Sequence, residues 1–409
     1  MEPPQDQPHP TPPPFQLAPR ERSGILASLL LAVFTVMLGV GIIAPLLPAY
    51  ARSLGANGIV LGLIFSIFSF FRTFFTPVTG ILSDRWGRKH FMSAGMLAYF
   101  ILSLAYVQAH TTPVLLTVRA LHGLAAAFIV PVANAYVADL SPPQQEGRYM
   151  GLFLASFLAG FALGPGLGGV LHDRLGMASC FVTLGLLALL ALSLLLVFVP
   201  NLPTGLQRRG KARQGWKWGE LLKSHIILTL LVFTFVSSIG RGSIVSFVPL
   251  LAQEKLGMSA TLLGIVLSTN LSLAAALLLP FGILADRADR KRILLAGTFL
   301  SGLMFLALPH ATGLWSLLFV NIVLGIATAL AFPAAQAIAV TLARGKGMGA
   351  VIAMLQAATG AGFATGPLVS GMIYKSYGIE WVFHACSGFL LLASVYGLFF
   401  LHVPSKSVR

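Results

Sequence analysis

The sequence predicts an all-α membrane protein, twelve transmembrane helices arranged as two six-helix pseudo-repeats, and three observations predict it. Only 10% of the 409 residues are charged and 56% are hydrophobic, whereas a soluble domain averages roughly 25% charged residues. Apolar runs of about twenty residues, the length that a ~30 Å hydrocarbon core demands, recur along the whole chain. A charged stretch, GILSDRWGRK at residues 80–89, returns as GILADRADRK at 282–291 with seven of ten positions identical.

Taken in order, the spans fall at 24–50, 58–82, 91–109, 113–138, 147–171, 178–199, 225–252, 259–285, 293–309, 313–341, 347–374 and 379–402. Residues 1–23 are polar and Pro-rich without the apolar core of a signal peptide, and read as a disordered cytoplasmic tail. A basic, Gly-containing linker at 201–224, ending in a short interfacial helix, separates a bundle at 24–200 from one at 225–402, and 403–409 form a second tail.

The formal net charge of +15 raises the question of nucleic acid, and the placement of the charge answers it. With the N-terminus inside, twenty of the 27 Lys and Arg residues lie in tails and cytoplasmic loops, four (Arg52, Arg174, Lys255, Lys375) lie outside, and three lie within spans. That asymmetry is the positive-inside rule, which predicts cytoplasmic termini in a multi-pass plasma-membrane protein. No nucleic acid is implied. Cys180 and Cys386 fit no disulfide framework or metal spacing, so they read as packing residues, and no metal or cofactor is expected.

The 202-residue offset continues beyond the charged stretch: Gly123 maps onto Gly325, Pro131 onto Pro333, Gly147 onto Gly349, and Gly164–Pro165 onto Gly366–Pro367. Six is even, so both halves start on the same side and are related by an axis along the membrane normal. Transporters use such parallel repeats to bind at the midplane and rock about the site.

Three arginines lie inside spans, where a charge marks a functional site by default. Arg72 lies about 15 Å deep from the end of span two at 1.5 Å per residue, on one helical face with Ser69 and Thr76. Arg241 shares a face of span seven with Thr234, Ser237 and Ser238. Arg119 is shallower, with His122 one turn along, and these two with Arg72 and Arg241 are expected to line a substrate cavity. No Asp or Glu lies deep in any span, so the interior is net positive and suits an anionic, zwitterionic or amphipathic solute better than a lipophilic cation. Asn270, Gln336 and Gln356 add neutral hydrogen-bonding groups for a substrate cavity or for helix–helix contacts.

At this point the residues carry a family resemblance. Gly80–Lys89 matches the loop signature G-x-L-(A/S)-D-R-x-G-R-(K/R) of the major facilitator superfamily. LLTVRALHGLAAA (115–127) resembles its span-four signature, with His122 in place of Gln and Ala125 in place of Gly. GLFLASFLAGFALGPGLGG (151–169) fits the span-five signature of its twelve-span drug:proton antiporters, although span one lacks the acidic residue such exporters often carry.

The resemblance implies the major facilitator fold and a set of roles. Gly80 and Gly87 are expected to allow the turn and close packing, in a gate that includes Arg85 and Arg287. Asp84 would sit against the N-terminus of span eleven near Gly347, Asp286 against span five near Gly147, and Arg88 would pair with Asp139. Together these contacts would latch the halves on the cytoplasmic side. Gly160, Gly164, Pro165, Gly168 and Gly169, with Gly362, Gly366, Pro367 and Gly371, would form the interface between halves. Arg119 matches an arginine tied to proton coupling, and with no carboxylate buried in a span the proton carriers would be Asp139 and His122, whose pKa the Arg119 charge should lower.

The expected function is proton-linked export of small amphipathic or anionic organic molecules by a functional monomer in a bacterial inner membrane. The alternative is an uptake symporter or uniporter for a small organic anion. No H-E-x-x-H, G-x-S-x-G or phosphate loop supports an enzyme.

Overall fold

The structure, a computed structural model, describes residues 18–142, 144–201, 224–343 and 348–401. The expected interfacial helix of the linker, most of both tails and Gly347 fall outside the described residues. Among the described residues, twelve helices are long and apolar enough to cross a membrane.

Span one starts at Pro19, earlier than expected, and runs to Ile43 before resuming as Leu47–Ser53. Pro45 and Pro48 lack the N–H groups that a continuous ladder needs. Span two is Gly58–Trp86 and span three Arg88–Val107. Span four is split into Thr112–Ala127 and Val130–Leu140 ahead of Pro131. Spans five to eight are Glu146–Leu175, Met177–Phe198, His225–Glu254 and Ala260–Arg287. Spans nine to twelve are Arg290–Ala307 (extended by a 3-10 turn), Leu314–Ala343, Met348–Tyr377 and Ile379–Phe400.

The tight loop expected between spans ending at 82 and starting at 91 is shorter still. Helix continues through Trp86 and restarts at Arg88, so a single residue, Gly87 at φ +94°, makes the whole turn. That left-handed backbone favours glycine. The second copy turns differently: Ala288 is extended, and Asp289 caps span nine by accepting from the backbone N–H groups of Lys291 and Arg292 at 2.9 and 3.4 Å. Both copies share one device. Lys89 donates to the Leu196 carbonyl at 3.0 Å and Lys291 to the Leu398 carbonyl at 2.8 Å, each pinning the C-terminal end of the sixth helix of its half.

The packing repeats with the sequence. Span one packs on spans five and six, as span seven does on eleven and twelve, while five meets eight and two meets eleven across the halves. The glycine stripes explain both seams and correct the expected location. A Cβ on Gly160, Gly164 or Gly168 would meet span-one backbone at 2.4–2.5 Å, and one on Gly362 or Gly366 would meet span seven at 2.5–2.7 Å, so these glycines seat helices within their own half. Pro165 and Pro367 do reach the other half, their carbonyl oxygens 2.3 and 2.2 Å from where a Cβ on Gly264 and Gly62 would lie. Residues at i, i+4 and i+8 share one helical face; Gly169 and Gly371 lie beside that face and also make cross-half approaches. Their Cβ atoms would fall 2.2 Å from the Ala260 carbonyl oxygen and 2.3 Å from that of Gly58.

The two ends of the bundle differ. One bears Arg85, Arg88, Lys89, Arg290 and Lys291 and is called the basic face; the far face bears the turns at Gly55, Gly176, Gly257 and Gly378. A single hydrophobic cluster runs from the N-terminal half into the far-face part of the C-terminal half (Phe247, Leu251, Leu263, Phe383), whereas the basic-face part of that half, including Leu230, Ala285 and Ile338, has its own cluster. The halves are joined at the far face and separate toward the basic face.

Gly169→Ala or Gly371→Ala is therefore expected to favour opening of the far face in folded protein, by the ~1–3 kcal/mol typical of overpacking. Gly164→Ala, at a seam within one half, lowers the unfolding temperature instead. Thermal unfolding in detergent, paired with labelling of far-face cysteines, separates the two outcomes.

Candidate functional site

Spans seven, nine, ten and twelve enclose a cavity within the C-terminal half. Arg241 enters it from span seven. Its Nη2 donates to the Ser238 hydroxyl at 2.8 Å, its Nε is buried without a hydrogen-bond partner, and Phe332 and Phe363 lie 5.9 and 5.8 Å away at their ring centres. Thr234 and Ser237 accompany it on span seven, Thr328 and Gln336 line the facing side of span ten, and Thr298 and Ser301 project from span nine. Phe233, Phe305, Leu324 and Leu390 complete the wall. No carboxylate lines the cavity, so Arg241 meets hydroxyls, aromatic faces and open space.

Of the other arginines, Arg72 is half-buried on span two beside Tyr99, and its guanidinium takes no partner among the described residues. Arg119 is placed differently from the expected cavity. It is buried in the N-terminal half, its Nε donates to the Ile64 carbonyl at 2.9 Å, and it lies 4.4 Å from the ring centre of Phe68 and 5.6 Å from that of Phe65. A carbonyl and two aromatic faces replace the water a cavity would supply. His122, also buried, has Nδ1 2.9 Å from the Tyr106 hydroxyl and its ring 4.1 Å from that of Tyr99, with Nε2 unpartnered.

The neutral groups divide. Gln336 lines the cavity. Asn270 instead donates to the Asn321 carbonyl at 2.6 Å and ties span eight to span ten, while Gln356 is exposed on span eleven.

At the basic face, Arg88 meets Asp139 at 2.9 Å and Asp84 at 3.2 Å. In the second copy Arg290 meets Asp286 at 3.0 Å, but toward span ten it donates to the Thr341 hydroxyl at 2.6 Å and the Ala337 carbonyl at 3.3 Å, because Thr341 stands where the first half has Asp139. Asp84 is more than half exposed, Arg85 and Arg287 are exposed, and a Cβ on Gly80 or Gly147 would meet nothing within 4 Å. The basic-face ends are thus apart in this state.

The far face holds contacts that the sequence reading did not pick out. Asp173, at the end of span five, accepts from the backbone N–H groups of Ala260 and Thr261 at 3.2 and 2.8 Å, capping span eight across the halves. Arg52 and Glu254 form an ion pair at 3.0 Å, and the Tyr374 hydroxyl donates to the same carboxylate at 2.9 Å. The signal was available: positions 52 and 254 differ by the repeat offset of 202. Thr298, Ser301 and Thr328 were likewise missed, since hydroxyls on an apolar helix read as ordinary packing.

Twelve helices in two repeats, with close glycine contacts between the halves, agree with comparison to known proteins. The sequence model of the Major Facilitator Superfamily matches residues 29–238 and again 230–409. The chain belongs to the Major Facilitator Superfamily. Among its relatives, the multidrug resistance protein MdtG of Citrobacter koseri is 29% identical over 87% of this chain and 89% of its own length. An uncharacterised transporter of this superfamily from Methanocaldococcus jannaschii is 38% identical over 39% of this chain and 42% of its own. The fold superposes on a bacterial homologue of the human lysosomal transporter Spinster, solved inward-facing and unoccupied, with a TM-score of 0.84 at 16% identity, covering 95% of this chain and all of that one. This superfamily member is accordingly a multi-pass membrane transporter of small molecules, a family and fold that are not those of an enzyme.

Proposed function

We propose that this transporter exports small anionic or amphipathic organic molecules by proton-linked alternating access, as a monomer, with its basic face in the cytoplasm. The observation that carries the substrate class is Arg241, a cation within the membrane that faces an open cavity lined by hydroxyls and a carboxamide but no acid. An uncompensated arginine at membrane depth costs at least ~2.5–3.5 kcal/mol, which water or a ligand anion offsets. The similarity to MdtG over most of the chain favours export, and the charge asymmetry favours cytoplasmic termini. In this orientation the described state opens inward, ready to load. When the basic face closes, Asp84 would meet span eleven and Asp286 span five.

Asp139, paired with Arg88, and His122, bonded to Tyr106 beside Arg119, are the candidate proton carriers. Uptake into inside-out vesicles, measured for anionic and cationic compounds with and without an imposed pH gradient, tests the reading. Anions are expected to accumulate faster with the gradient, and His122→Gln with Asp139→Asn is expected to remove that acceleration. Equal rates with and without a gradient in the parent protein would exclude proton linkage; preferential movement of cations would exclude the substrate class.

A further inference from the structure

We infer that the cavity in the C-terminal half receives the head of a hydroxy acid or amino acid type of ligand, an acidic group with a hydroxyl or amino donor beside it, and not a plain lipophilic anion. This rests on the proposed anionic substrate and narrows it.

The hydrogen bonds already made within the cavity carry the argument. Arg241 Nη2 is committed to Ser238, while its buried Nε has no acceptor. The guanidinium lines a cavity that holds no carboxylate, so that end favours an acid. On span nine the situation is reversed. The Thr298 hydroxyl donates to the Leu294 carbonyl and that of Ser301 to the Gly297 carbonyl, each at 2.9 Å, so both oxygens have spent their proton and can engage a ligand only by accepting from a donor. Between them, the Thr234, Ser237, Thr328 and Gln336 side chains have no hydrogen bond to any described residue and can adapt to either. A bare carboxylate satisfies the arginine and makes no hydrogen bond to the span-nine oxygens, which have no proton left to give it. An acid with a neighbouring O–H or N–H satisfies both.

Size sets the second limit. The space open to the centres of water molecules is about 60 Å³, room for several waters at roughly 10–15 Å³ each by that measure. It accommodates a head group, and the rest of a larger ligand must lie outside it. Phe233, Phe305 and Phe332 make the surrounding wall apolar. The polar lining is not repeated in the other half. At the repeat offset, Thr234, Arg241, Thr298, Ser301 and Thr328 correspond to Ala32, Gly39, Met96, Tyr99 and Ala126. In the N-terminal half, a Cβ on Gly39 would already lie 2.5 Å from Leu184. One head group is therefore held per molecule, by the C-terminal half.

Calorimetric titration of the full-length transporter in nanodiscs with 3-phenyllactate and 3-phenylpropanoate, acids that differ by one hydroxyl, tests this. Phenyllactate is expected to bind at least about tenfold more tightly, since the analogue without the hydroxyl has no donor for the span-nine oxygens. Thr298→Val combined with Ser301→Ala is expected to remove most of that preference while retaining phenylpropanoate affinity, which also reports that the variant is folded. Arg241→Ala weakens both acids. Equal affinity of the parent protein for the two acids overturns the inference and leaves the anion reading standing. A preference that survives the double substitution overturns the assignment to span nine. If neither acid binds and Arg241→Ala leaves anion transport in vesicles unchanged, the inference and the proposed function fail together.

Discussion

Arg241→Ala is expected to lower kcat/KM for organic anions about tenfold to hundredfold, the range set by the ~1.5–3 kcal/mol of a hydrogen bond to a charged group. Folding should be largely retained, because the side chain faces a cavity and only its bond to Ser238 is lost. Two controls sharpen the result. Arg241→Lys keeps the charge but not the planar fork, so it should recover part of the activity and lose discrimination among acids. Neutralising the substrate acid as a methyl ester should mimic the alanine variant in the parent protein. Radiotracer flux in vesicles, with protein quantified by size-exclusion chromatography, gives each number. If both alanine and lysine variants move anions at the parent rate, Arg241 has a structural role.

The second large effect is expected at the far face. Asp173→Asn combined with Glu254→Gln should shift the population toward the far-face-open state by one to two orders of magnitude. Asp173 contributes more, because its carboxylate meets two backbone N–H groups at the positive end of span eight. The Arg52–Glu254 pair is partly exposed, with side chains 44% and 35% accessible, so solvent screening limits its share to at most ~1 kcal/mol. Spin labels at Thr111 and Thr312, exposed in the far-face turns of opposite halves, should report a longer distance in the double variant. Asp84→Asn, which removes the carboxylate proposed to hold the basic face closed, should leave that distance short and raise accessibility from the basic face. An unchanged distance in the double variant would mean that the glycine seams alone hold the far face shut.

The repeat, the twelve spans and the three membrane arginines were legible because each rests on composition or spacing. The partners of those arginines were not, since partners come from other helices. Arg119 reads as a cavity residue until the Ile64 carbonyl and Phe68 are brought beside it by the crossing of spans two and four. The span-five glycines show the same limit. Their period identifies a close-packed face, but whether it meets span one or span eight depends on a rotation of roughly 100° per residue, and Gly168 and Gly169 go to different neighbours. Asp173 and Glu254 read as hydrophilic span ends because a gate is a property of two halves in one conformation.

The Arg52–Glu254 contact bears on how such a chain arose. The two positions are copies of each other at the 202-residue offset, and their side chains meet at 3.0 Å. In an ancestral dimer of identical six-helix subunits, whatever residue stood there would have faced itself across the two-fold axis, and a charge would have faced a like charge. Opposite charges at such sites require the two copies to mutate independently, which a homodimer encoded by a single gene cannot do. The Arg52–Glu254 pair therefore requires two separately encoded copies of the repeat. Reverting it to one residue type, with Arg52→Gln and Glu254→Gln together, would rebuild a neutral and more nearly symmetric form of the older interface.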